Sequence, residues 1–293
     1  MHADELDIDA ALVHRLIAAQ FPRWISLPIE RVASSGTDNA MFRLGDELAV
    51  RLPRRKAAMP QVEMEHRWLP KLAALPLDIP TPVAMGQPAD GYPWPWSVCR
   101  WLDGENAITA RIDDPHSAAL AIAEFLAALR RTDPAGGPAP GPHNFYRGVP
   151  LVQRDRYVRA ALASLDGEVD VPAATAAWEA ALRAPQWEGS PTWIHGDLAP
   201  GNLLVSNGRL TGVIDFGGLA VGDPACDLMV AWNFLTLETR EAFSAALSSD
   251  EATWARGRGW ALSMSLIALP YYLKTNPVIV ENSRRTIAEV LSG

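Results

Sequence analysis

Only two cysteines, Cys99 and Cys226, occur in 293 residues, and both sit in apolar stretches without metal-ligand spacing. That pattern argues against a disulfide framework or a cysteine-based zinc site and reads as two buried free thiols. No run of eighteen apolar residues occurs, and the first residues, MHADELDIDA, are acidic where a signal peptide would be basic and then apolar. Neither a membrane span nor a secretory leader is expected, and the chain is read as cytoplasmic. Basic clusters are also missing: nothing longer than Arg54-Arg55-Lys56 appears, and 26 basic against 34 acidic residues leave a net charge of −8. That balance argues against a nucleic-acid partner and favours cationic ligands.

What is present is an ordinary globular composition, 48% hydrophobic and 20% charged. A chain of this length is long for one core and suits two lobes.

The chemistry concentrates in Trp193 to Gly217, WIHGDLAPGNLLVSNGRLTGVIDFG. His195, Asp197 and Asn202 stand as H-x-D-x-x-x-x-N, and Asp215, Phe216 and Gly217 follow thirteen residues after Asn202 as D-F-G. Phosphoryl transfer spreads charge over phosphate oxygens, so its catalyst positions the reacting groups and neutralises charge with metal ions. Asp197 suits a hydroxyl-orienting carboxylate. Asn202 and Asp215 offer the hard oxygen donors that Mg²⁺ takes beside nucleotide phosphates. Leu203 to Val205 and Leu210 to Ile214, with Asn207-Gly208 between them, predict a hairpin that would carry Asn202 and Asp215 to one end. A turn before a strand, followed by a coincidental loop, is the plain alternative for any one of these motifs.

In order and together, these residues resemble the aminoglycoside phosphotransferase family, small-molecule kinases with a protein-kinase-like fold whose catalytic loop reads HGD. Asp223-Pro224 and Asp227-Leu228 also match what that family carries after its DFG. The resemblance implies an α+β, bilobal protein-kinase-like fold, with an antiparallel-sheet N-lobe and a mainly helical C-lobe. Residues 1–102 would form the nucleotide-binding lobe, ending in the hinge, and residues 103–293 the helical lobe with the catalytic loop and substrate site. It also implies Asp197 and His195 as catalytic residues, Asn202 and Asp215 as metal ligands, and Mg²⁺ with ATP or GTP as co-substrate.

Earlier in the chain, residues 6–20 carry a helical stripe, and IERVAS, AMFRLG and ELAVRLP read as three antiparallel strands. The loop between the first two, with Ser35, Gly36 and Asn39, stands where a kinase-like fold covers phosphates, though it holds a single glycine. Arg51 occupies the place where kinases put a strand lysine, a departure that keeps the charge but changes the geometry. Glu65, on a helix from about Gln61 to Leu72 with Val62, His66, Leu69 and Ala73 inward, is the expected partner. Glu63 should face away, and Pro70 should kink the helix end. Ile79–Val83 and Trp94–Leu102 read as strands four and five. By the same resemblance Cys99 takes the gatekeeper place, and the Arg100 carbonyl and Leu102 N–H offer the adenine contacts.

After Gly104 the pattern turns helical, with a buried stripe expected through Leu120, Phe125 and Leu129. Helices are expected at 153–165 and 172–183, and from Asp227 to the end, with Trp232, Phe234, Trp254 and Trp260 as core. Tyr146 and Arg147, in a Pro/Gly-rich loop region, either border the substrate site or belong to a loop with no role. Asp227 reads as a buried carboxylate supporting the catalytic-loop backbone. Only five residues separate Gly217 from Asp223-Pro224. That leaves no room for an activation segment, so no protein substrate is expected.

The expected activity is transfer of the γ-phosphoryl group of ATP or GTP to a hydroxyl of an aminoglycoside-like or other cationic small molecule. A metabolic kinase of choline, homoserine or sugar type and a catalytically silent nucleotide-binding module stay open. The cationic preference rests on charge: residues 1–150 carry net −3 and residues 151–293 net −5. Asp166, Glu168, Asp170, Glu238 and Glu241 are the candidate lining residues.

Overall fold

The computed structural model describes residues 6–32 and 38–293, which divide into two compact units. The first holds the described residues up to Gly104 together with Gly212–Gly217, and the second holds Glu105–Thr211 and Gly218–Gly293.

In the first unit α1 (Ala10–Gln20) starts where Asp9 accepts the Leu12 N–H at 2.7 Å. The cap places its start later than the apolar stripe alone predicts, because Leu6 to Asp9 lie outside the helix. Val13, Leu16 and Ile17 form its buried face. β1 (Ile29–Arg31), β2 (Asn39–Leu44) and β3 (Leu48–Pro53) are joined in antiparallel register. β2 alternates, burying Ala40, Phe42 and Leu44, whereas β3 is buried along almost its whole length because it is the central strand. After α2 (Met59–Trp68), β4 (Pro82–Gly86) and β5 (Trp96–Arg100) complete the sheet in the order β1-β2-β3-β5-β4. β4 begins later than Ile79, and β5 is shorter at both ends than the apolar run predicted.

Pro70 acts as expected: α2 stops at Trp68 and the chain continues as a 3₁₀ turn over Leu69–Leu72. The inward face of α2 differs from the apolar stripe. Val62, Glu65 and Trp68 are buried, Ala73 is exposed, and His66 is half-buried with Nε2 2.8 Å from Ser97 Oγ.

The second unit contains β6 (Glu105–Asn106), α3 (Pro115–Arg131), α4 (Asp155–Ala163), α5 (Val171–Arg183) and β7 (Thr192–Ile194). β8 (Leu203–Ser206) and β9 (Arg209–Val213), whose last two residues are counted in the first unit, follow, then β10 (Ala220–Gly222), α6 (Val230–Asn233), α7 (Leu237–Ala246), α8 (Glu251–Tyr272) and α9 (Pro277–Leu291). Asn207 (φ 51°) and Gly208 (φ 72°) form the β8–β9 turn, both in the left-handed region that this turn demands. β10 pairs antiparallel with β7, and β6, β8 and β9 form a separate small sheet.

Leu120 departs from the expected stripe of α3. It is 40% exposed, while Ile122, Phe125, Leu126 and Leu129 are buried. Five residues turn a helix through about 500°, so Leu120 and Phe125 point roughly 140° apart. Among the aromatics of the second unit, Trp232 and Trp260 are core, but Phe234 and Trp254 are only half-buried. Trp254 instead covers Trp232, with ring centroids 4.8 Å apart. No helix among the described residues is long and apolar enough to cross a membrane.

Candidate active site

In the first unit the central strand β3 carries Arg51 into a set of acceptors. Its NH1 donates to both Glu65 carboxylate oxygens at 2.6 and 2.7 Å, and its NH2 donates to Asp215 Oδ1 at 3.2 Å. The Asn39 amide, oriented with its oxygen toward the guanidinium, accepts from Nε and NH2 at 3.2 and 3.1 Å. The Arg51 side chain is 11% exposed and that of Glu65 2%. Burial works against the Arg51 charge, yet Glu65 and Asp215 outweigh it and raise the guanidinium above its ordinary pKa. Burial likewise pushes the Glu65 carboxyl up, with Arg51 pulling it back. The guanidinium therefore stays charged.

Asp215 sits at φ 63°, a left-handed backbone unusual for a residue with a side chain. Its carboxylate is 45% exposed. Glu63 is exposed, two residues before Glu65 on the helix. Glu65→Gln is expected to lower unfolding stability by roughly 3 kcal/mol, because it removes one partner of a buried ion pair. Glu63→Gln should change it by less than about 0.5 kcal/mol. Equal effects in urea denaturation would refute the assigned helix face.

In the second unit the catalytic-loop residues are held from below. Asp227, 1% exposed, accepts the His195 N–H at 2.8 Å and the Gly196 N–H at 2.7 Å. Its own pKa is raised by burial, against the pull of His195, these two N–H groups and Arg130. Gly196 (φ 79°) has no room for a side chain, since a Cβ there would lie 2.4 Å from the Gly218 carbonyl oxygen.

Asp197 is half-buried at the loop's end. Its N–H donates to His195 Nδ1 at 3.2 Å, and its carbonyl accepts from Asn202 Nδ2 at 2.8 Å. The carboxylate meets Asn202 Nδ2 at 3.4 Å through Oδ2 and Arg147 NH2 at 3.2 Å through Oδ1. His195, the other residue expected to be catalytic, lies beneath this carboxylate. It is fully buried, and its Nδ1 accepts the Asp197 N–H. The pairing of Arg147 with Asp197 was not foreseen, and fifty residues of intervening chain left no local signal for it.

Asn202 directs its amide nitrogen at Asp197, so Oδ1 is its ligand-type atom. Among the described residues no group of three or more His, Cys, Asp or Glu side chains could hold a metal ion. That does not conflict with Mg²⁺, which is commonly held by one or two protein oxygens together with substrate phosphates. Asn202 and Asp215 each supply an oxygen of that kind.

The remaining candidates are placed as follows. Arg100 ends β5 with its N–H on the Thr81 carbonyl at 2.9 Å, and Leu102 follows it half-buried. Cys99 is buried beside Ser97, Sγ to Oγ 3.1 Å, and Cys226 is buried too, both as free thiols. Ser35 and Gly36 lie outside the described residues. The acidic candidates are exposed or committed elsewhere: Glu168 pairs with Arg284 at 2.6 Å, and Asp170 caps α5.

Residues 30–260 match the phosphotransferase enzyme family. An aminoglycoside 3'-phosphotransferase from Escherichia coli is 40% identical over 58 residues, a match that spans 20% of this chain and 21% of that relative. The solved GDP complex of wild-type aminoglycoside 2'-phosphotransferase-IIIa superposes with a TM-score of 0.73 at 20% identity, covering 97% of this chain and 99% of the other. A macrolide 2'-phosphotransferase from Brachybacterium faecium gives 0.62 at 24% identity over 95% and 97% of the two chains. At these identities the structures establish the protein-kinase-like, α+β fold. The matched span covers both units and all of Arg51, Glu65, Asp197, Asn202 and Asp215, and the chain belongs to the phosphotransferase enzyme family.

Proposed function

We propose that the protein transfers the γ-phosphoryl group of ATP or GTP to a hydroxyl of a small molecule. The observation that carries this is the Asp197 carboxylate. It is presented half-buried on a loop whose backbone is fixed by Asp227 from beneath and by Asn202 from the side. A hydroxyl donating to Asp197 attacks the γ-phosphorus, the bond to the β,γ-bridging oxygen breaks, and the nucleoside diphosphate leaves. The proton passes to Asp197 and then to solvent. Arg51, anchored by Glu65, would hold the nucleotide phosphates, with Asn39 beside it. The Arg100 carbonyl and Leu102 N–H would take the base. Mg²⁺, when bound, neutralises charge on the phosphates, and Asn202 and Asp215 would hold it.

The segment after Gly217 favours a small acceptor over a polypeptide. A 3₁₀ turn over Phe216–Gly218 runs almost directly into β10, which is tied along its length to β7. Phosphoryl transfer to panels of aminoglycosides, macrolides, amino alcohols, hydroxy acids and sugars, with each nucleotide, tests the proposal. A labelled ester from any panel supports it, whereas nucleotide binding without turnover on all of them would make the protein a silent module.

Two acceptor classes compete. The net charge of −8 favours a cation, as in the aminoglycoside reading, but exposed charges are screened over about 8–10 Å at ordinary ionic strength. A guanidinium at 3.2 Å from Asp197 is a contact, and it disfavours aminoglycosides and choline alike, which favours the homoserine or sugar type of metabolic kinase.

A further inference from the structure

Gly141 to Gly148 form a loop built around one side chain. Asn144 is completely buried, its Oδ1 accepts the Gly141 N–H at 3.0 Å, and its Nδ2 donates to the Arg147 carbonyl at 2.9 Å and the Gly218 carbonyl at 3.3 Å. Arg154, itself buried, donates to the Phe145 carbonyl at 2.8 Å, and the Asp223 N–H donates to the Gly148 carbonyl at 2.9 Å. Phe145 and Tyr146 are consecutive left-handed residues, at φ 54° and 58°. Two bulky residues in that region are costly, and such strain persists only where the surroundings enforce it. The loop is thus fixed by several independent bonds, and what it fixes is Arg147.

The Arg147 side chain is 16% exposed, with NH2 3.2 Å from Asp197 Oδ1. Its Nε is buried without a hydrogen-bond partner among the described residues. Phe145 and Tyr146, 57% and 40% exposed, stand beside it. A guanidinium placed on the carboxylate that receives the acceptor repels an ammonium group there and attracts an anion in a two-pronged grip.

Resting on the small-molecule kinase reading, we propose that the acceptor is a hydroxylated anion. Arg147 binds its carboxylate or phosphate group close to the hydroxyl that is phosphorylated. On binding, the guanidinium exchanges Asp197 Oδ1 for the acceptor's anionic group and frees that oxygen to take the hydroxyl proton. Arg147 is then a specificity-determining residue, absent from the bond-making step.

The test uses the full chain with Mg²⁺ and ATP or GTP. The acceptors are glycerate for a carboxylate, glycerol 3-phosphate for a phosphate, glycerol as the neutral counterpart and kanamycin as a polycation. Binding of each is followed by calorimetry in parallel. Wild type should turn over or bind one of the anions in preference to glycerol and kanamycin, and which anion wins separates the carboxylate from the phosphate. Arg147→Gln should weaken that anion about tenfold to a hundredfold in KM or Kd, with kcat changed less than about threefold and circular dichroism unaltered. Arg147→Lys should restore part of the loss.

Preferred turnover or binding of glycerol or kanamycin would overturn the inference and leave the kinase reading standing. A loss confined to kcat and shared by neutral and anionic acceptors would also overturn it, placing Arg147 on the transferring phosphoryl group. Arg147-dependent anion binding with no phosphoryl transfer would uphold anion recognition and sink the kinase reading. Absence of any Arg147-dependent anion binding would sink the inference.

Discussion

Asp197→Ala should lower turnover by ~10² to 10⁴, the range for a positioned acid–base group, with nucleotide affinity nearly unchanged. The loop does not depend on the carboxylate for its shape. The Asp197 N–H to His195 bond and the Asn202 bond to the Asp197 carbonyl are made by backbone atoms that alanine keeps. Asp227 fixes the two preceding residues independently. What alanine removes is the proposed acceptor for the hydroxyl proton and the partner of Arg147. Steady-state kinetics alongside equilibrium nucleotide binding separate the two quantities. A fall in kcat of less than about tenfold would mean that Asp197 does not orient the acceptor hydroxyl.

Asp215→Ala should erase the tightening that Mg²⁺ gives to nucleotide binding, a loss of at least about 10- to 100-fold, the range seen when even an outer partner of a metal ligand is removed. Metal-free affinity should stay level or rise. The variant takes a negative charge away from a place where phosphates would bind, and it leaves Arg51 held by both oxygens of Glu65. The competing role for Asp215 is to anchor Arg51 through the 3.2 Å bond. In that case affinity would fall equally with and without Mg²⁺. Titrations in magnesium and in EDTA tell the two apart.

Some of this was legible because it is local. The Asn207-Gly208 hairpin follows from turn chemistry that two residues specify. Glu65 came from the family resemblance, whereas the apolar stripe chose His66 and Ala73 and missed that Glu65 shares a side with Val62, three residues before it, and Leu69, four after. All three are buried. The spacing of His195, Asp197 and Asn202 is likewise short enough for one loop to carry. Two local signals were nevertheless misread. An apolar count put Leu120 inward although its angle on the helix turns it out, and α1 was started before the Asp9 cap that sets it.

Charge was the least readable property. The net charge of the chain pointed to cations, but summed charge is a far-field quantity that salt screens. Of the acidic residues thought to line a site, Asp170 caps a helix and Glu168 joins a surface pair, while the guanidinium of Arg147 touches Asp197.

By itself, then, the sequence determined the residue types for phosphoryl transfer, their order and the secondary structure that presents them, because periodicity, caps and turns act over a few residues. Only the tertiary structure decided which groups meet. It brought Asp215 to Arg51 across 164 residues and Arg147 to Asp197 across fifty, and it buried His195 beneath the loop that it supports. Contacts between segments so far apart arise from packing the whole chain, and no short stretch of sequence encodes them.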